Sequence, residues 1–126
     1  MKRLLLILLL FLSVNAYSQV TKYYSDFSSY KALISKDKWA DWTDWERCDT
    51  KIKIDLNSDT ITINNSKYCI DKYIETVIDS NSKTIKYAVI AYDNKSCFIR
   101  IREQEDGVKQ LYLDYDNIVY VYNLVY

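Results

Sequence analysis

Three tryptophans, Trp39, Trp42 and Trp45, stand at even spacings of three in the stretch KWADWTDWER, and they are the only tryptophans in the chain. Asp41, Asp44, Glu46 and Asp49 are interleaved with them or follow closely. Two chemistries suit such a segment. A pair of carboxylates can hydrolyse a glycoside, one acting as acid and the other as base or nucleophile. Flat indole rings can stack on a sugar or an apolar molecule. The plainer readings are a solvated acidic face and tryptophans that fill a core. On a helix, the three positions span about 120° of arc, so all could share one broad face, with Asp41, Asp44 and Arg47 on the other. On a strand, Trp42 would point away from its neighbours. The helical arrangement leads to the expectation that at least two tryptophans plug one end of a sheet.

Much other chemistry is disfavoured. The chain has no histidine. That removes Ser–His and Cys–His triads, the usual proton shuttle near neutral pH and most zinc sites. A single glycine cannot build a phosphate-cradling loop. No metal-ligand spacing or calcium-loop pattern occurs, and nothing in the sequence activates a cysteine as a nucleophile. The expectation is a protein without catalysis, cofactor or metal.

What stands out is aromatic content: thirteen tyrosines and three tryptophans in 126 residues. Both side chains join a large apolar body to a polar tip and lose little entropy on contact, so they serve binding surfaces as readily as cores. Trp39, Trp42, Trp45, Tyr112, Tyr120 and Tyr122 form the expected ligand-binding set.

The elements that position these residues start after an address. Lys2 and Arg3 precede a nine-residue apolar run, Leu4 to Leu12, and then SVNAYSQ, with small residues where a signal peptidase cuts. Residues 1–18 read as a cleaved secretory signal peptide. The run is too short to span a bilayer as a helix, which takes about 20 residues. The expected location is therefore the periplasm or the extracellular space. Cleavage after Ser18 leaves 108 residues, a single small domain at 19–126. Removing Lys2 and Arg3 leaves fifteen basic against seventeen acidic residues, a net −2, which gives no basic surplus for nucleic acid. Cys48, Cys69 and Cys97 meet oxidising conditions in such a compartment. A Cys48–Cys69 disulfide is the favoured pairing, with three buried thiols as the alternative.

Residues 22–35 place Tyr23, Phe27, Tyr30 and Ile34 at spacings of three and four, which predicts a short amphipathic helix. The period then becomes two. Ile52, Ile54 and Leu56 alternate with charged residues, and Ile61 and Ile63 with threonines, predicting a hairpin that sets Leu56 opposite Ile61. A turn at Asn94–Lys95 would set Tyr92 opposite Cys97 and Ile90 opposite Ile99. Glu105–Gly107 reads as a three-residue turn with glycine at a positive φ. A turn at Asp116–Asn117 sets Leu113 opposite Tyr120 and Leu111 opposite Tyr122. That last hairpin is apolar on both faces, so it is either buried on both sides or lines a site. The expected fold is all-β, about seven strands in antiparallel meander order, forming a small barrel or half-barrel with one N-terminal helix.

A tryptophan near the mouth of a small meander barrel, in an exported chain, resembles the lipocalin-like secreted barrels, although Asp37 stands where their Gly-x-Trp signature has glycine. The signal-peptide style LLLFLSVNAYSQ resembles that of Bacteroidetes-type bacteria. The resemblance is one of architecture; the aromatic content of an exported all-β chain leads to the expectation of a binding module for a small apolar or glycan ligand. A protein-interaction module, such as an inhibitor of a periplasmic or extracellular enzyme, is the alternative. The final alternation from Ile118 to Tyr126 also resembles the closing strand of an outer-membrane barrel, but such strands need about 9–11 residues and the run 51–56 has six.

Overall fold

A computed structural model describes residues 20–125; the segment read as a signal peptide lies outside the described residues. Nine strands follow in chain order: β1 (Val20–Ser35), β2 (Lys38–Trp39), β3 (Glu46–Asp55), β4 (Thr60–Ile63), β5 (Ser66–Ile78), β6 (Ser82–Ile90), β7 (Ser96–Gln104), β8 (Lys109–Asp114) and β9 (Ile118–Val125). All pairings are antiparallel between neighbours, and β1 pairs with both β3 and β9. Eight strands therefore close into a barrel, and β2 adds a short ninth strand against the end of β1. Closure removes the sheet edges that an open meander would expose.

The interior is built from alternating inward residues. Ile52, Ile61, Val89, Ile99 and Leu111 are almost wholly excluded from solvent. Ile54, Ile63, Tyr68, Ala91, Cys97, Leu113 and Leu124 complete the buried core. An eight-stranded barrel is just wide enough for its side chains to fill it or for one small ligand to enter.

The expected N-terminal helix is instead the first long strand. A bulge between Ser25 and Phe27 shifts the alternation by one, so Tyr23 and Ser25 share the inward side with the later Tyr30. That break in a two-residue period mimics helical spacing, and pairing on both edges of β1 decides the conformation. β1 and β2 raise the strand count from the expected seven to nine.

Register agrees in one hairpin and differs in two. Leu113 faces Tyr120 and Leu111 faces Tyr122, as expected. In β3–β4, Ile54 faces Ile61 and Ile52 faces Ile63, because Leu56 belongs to a four-residue turn. Asp55 Oδ1 accepts the Asn57 and Ser58 amides there, and Asp59 takes a positive φ of 53°. In β6–β7, Val89 faces Cys97 and Tyr87 faces Ile99. The turn is longer than two residues: the Ala91 amide donates to the Lys95 carbonyl and Asn94 takes a φ of 65°. The offset is odd, so β6 turns Ile85, Tyr87 and Val89 inward rather than Ala88, Ile90 and Tyr92. Gly107 has a φ of 90°, as its turn requires.

The cysteines carry no disulfide. Cys69 pairs with Thr60, which pairs with Asp55, seven residues along β3 from Cys48. At about 3.3 Å per residue the two cysteines lie roughly 20 Å or more apart, far beyond the 7 Å a bridge allows.

Candidate binding site in the barrel mouth

The β4–β5, β6–β7 and β8–β9 turns lie at one end of the barrel, as alternating strand direction requires. Between them opens a cavity of about 890 Å³. Leu113 from β8 and Tyr120 and Tyr122 from β9 line it, because their strands alternate and this is the inward parity. Tyr68 from β5, Tyr115 from the β8–β9 turn and Ile118 at the start of β9 complete the wall. Asp93, Lys95 and Ser96 border it from the β6–β7 side, and Asp116 and Asn117 from the β8–β9 turn.

The tyrosines form an ordered lining. The Tyr68 and Tyr115 hydroxyls are 3.3 Å apart, and either can donate. The Tyr115 amide donates to the Ile118 carbonyl, which fixes the turn that carries the ring. Tyr30 on β1 packs a tilted ring against Tyr120 at 6.1 Å between centroids. Burial makes three of these phenols, Tyr68, Tyr115 and Tyr122, weaker acids. Tyr122 is pushed up to about 12 by burial, with Tyr68 and Tyr120 adding to it. Tyr68 and Tyr115 are also raised, burial being the first cause in each. Cys97, in the core, is pushed up to about 11 by burial and by Asp114 and Asp93, so it stays a thiol at neutral pH. The mouth therefore presents phenols and aliphatic carbon together with the polar groups of Asp93, Lys95, Ser96, Asp116 and Asn117.

The residues expected to form one site are divided between two places. Tyr120 and Tyr122 line the mouth. Trp39, Trp42, Trp45 and Tyr112 lie on the outer wall. Residues 40–45 form no helix; they run as a strap back along β1, where the Ala40 amide donates to the Ala32 carbonyl. The Thr43 amide donates to the Tyr30 carbonyl at 2.9 Å, and the Ser29 hydroxyl donates to the Thr43 carbonyl at 2.7 Å. Trp42 meets Tyr112 edge-on at 6.2 Å. Lys31 Nζ sits 5.0 Å from the Trp42 ring and 5.5 Å from Trp39. Arg100 stacks 4.4 Å from Tyr112 while binding both oxygens of Asp114. A chain of cation–ring and ring–ring contacts thus crosses the wall from Arg100 through Tyr112, Trp42 and Lys31 to Trp39. The outward Val119 and Val121 are buried. They pair with Lys31 and Tyr112, the two residues the Trp42 ring meets, so the β8–β9 hairpin is apolar on both faces because one side fills the barrel and the other carries this aromatic cluster.

The tryptophans do not plug the barrel. Trp39, Trp42 and Trp45 are 37%, 40% and 49% exposed. Asp41, Asp44, Glu46 and Asp49 are exposed beside them. Trp45 and Phe27 flank a smaller surface cleft with Gln110 and Asn123. Among the described residues no group of histidine, cysteine or carboxylate side chains could hold a metal ion, and no helix is long and apolar enough to cross a membrane.

Tyr68, Tyr115 and Ile118 were missed by the sequence reading. Tyr68 directly faces Ile61 on β4, so continuing the Ile61–Ile63 alternation across the next turn would have placed it inward. Tyr115 sits in a turn, where no periodicity points anywhere. No protein-family model, curated protein or solved structure matches this chain.

Proposed function

We propose that the protein is an exported, non-catalytic binding module that takes a small, largely apolar molecule into the mouth of its barrel. One observation carries this reading: a cavity of about 890 Å³ at a barrel end, walled by four tyrosines and two aliphatic residues. Its size falls in the range of about 300–1,000 Å³ usual for small-molecule sites, and an apolar wall with a few convergent hydroxyls is their usual composition. The strap tryptophans hold the outer wall and do not touch the ligand.

The test is a neutral fluorescent probe, N-phenyl-1-naphthylamine, whose emission rises in apolar surroundings. The wild-type chain binds it, Ile118→Trp fills the mouth and abolishes binding, and Trp45→Ala leaves binding unchanged. Equal binding by the Ile118→Trp variant, or loss in Trp45→Ala, refutes the reading.

A second reading, a protein-interaction module, draws on β5. Tyr73, Val77 and Ile78 are more than half exposed, and β4 is too short to cover the strand along that length. A defined protein complex disrupted by Ile78→Asp but not by Ile118→Trp would favour it.

A further inference from the structure

We infer that the mouth selects ligands bearing an organic ammonium group. This rests on the mouth being a binding cavity, and it adds the ligand's charge. Tyr68, Tyr115, Tyr120 and Tyr122 turn phenol rings around one space. The face of an aromatic ring is negative, and several rings around one cavity attract a cation that an aliphatic wall would not. The phenols are acceptors as well as donors, and the one positive group that lines the cavity is Lys95.

The border points the same way. Asp93 and Asp116 oppose a single cation, Lys95, among the residues that line the cavity. Lys95 approaches Asp93 at only 4.0 Å, with 76% of its side chain in water, so it neutralises little. Asp93 acts electrostatically on both Tyr115 and Cys97, so its negative field extends into the barrel. Arg100, on the outer wall, is held by Asp114 and Tyr112 and does not line the cavity. An anionic ligand would meet two carboxylates against the one lysine, Lys95, whose charge sits mostly in water. An ammonium can sit beneath the border carboxylates against the rings, with its apolar part on Leu113 and Ile118.

The experiment compares three molecules of one shape class by calorimetry and by displacement of N-phenyl-1-naphthylamine: benzyltrimethylammonium, its uncharged isostere neopentylbenzene, and benzenesulfonate. The cation binds about tenfold more tightly than the neutral isostere, and the anion binds most weakly. Asp93→Asn with Asp116→Asn reduces that preference. The Asp93→Asn change keeps the side-chain oxygen that accepts the Lys95 amide, so the turn persists. Ile118→Trp removes binding of all three. If the neutral isostere binds as well as the cation while the probe still binds, the charge inference fails and the cavity reading stands. If neither the probe nor any of the three molecules binds, both fail.

Discussion

The hydroxyls of Tyr68 and Tyr115 meet 3.3 Å apart at the open end of the barrel, joining β5 to the β8–β9 turn across 47 residues of sequence. The pair lets a ring carried by a turn take a fixed place in the wall. A neutral hydrogen bond contributes about 1 kcal/mol net, and deleting one partner strands the other. Tyr68→Phe and Tyr115→Phe should each lower stability by about 1 kcal/mol. The double variant should lose less than their sum. Urea denaturation of the four proteins in a double-mutant cycle measures the difference.

Trp42 clasps the strap to the outer wall through Tyr112 and Lys31. An aromatic pair is worth about 0.5–1.5 kcal/mol and an exposed cation–π contact about 0.5–1. Trp42→Ala also uncovers Val119 and Val121. The expected loss is about 2–3 kcal/mol, seen as a lower urea midpoint with little change in slope. Trp45, with half its surface in water, should cost less when replaced by alanine.

Alkali should destabilise the barrel in a window set by Tyr122. An unfolded tyrosine gives up its proton near pH 10, and Tyr122 in the fold near 12. Between these values the unfolded chain has lost a proton that the folded chain keeps. Stability from this group is therefore complete below pH 10 and falls as pH rises toward 12. Denaturation midpoints measured from pH 8 to 12 should decline, and Tyr122→Phe should decline less steeply. Tyr68, Tyr115 and Tyr87 are raised as well, so part of the slope remains.

All three cysteines are free thiols. Intact mass should not change on reduction. A thiol reagent at pH 8 should label exposed Cys69 first and Cys97 last, since Cys97 is buried and its pKa is pushed up to about 11. Protection of Cys48 and Cys69 together would contradict the strand register between them.

The strands were legible wherever the two-residue period ran unbroken. Leu111, Leu113, Tyr120 and Tyr122 could be paired correctly because Asp116–Asn117 makes a short turn. The period misled where a bulge interrupted it, as at Ser25–Phe27, and where a turn held more residues than the minimum, as after Ala91. Half of the mouth was visible in the same alternation, through Tyr120 and Tyr122. The other half arrives from β5 and from a turn, which only barrel closure brings together. The tryptophan spacing was the most conspicuous signal and the least informative about the mouth. It belongs to a strap that runs back along β1 and sets Trp42 against Tyr112 on the outer wall, a tertiary arrangement with no period of its own.

The most direct test is native mass spectrometry of the protein isolated gently from its own source, beside Ile118→Trp prepared in the same way. The account predicts that the wild-type chain carries a small-molecule adduct, of the size a cavity of this class admits, and that the variant is bare. A bare wild-type chain, or the same adduct on both, would contradict it.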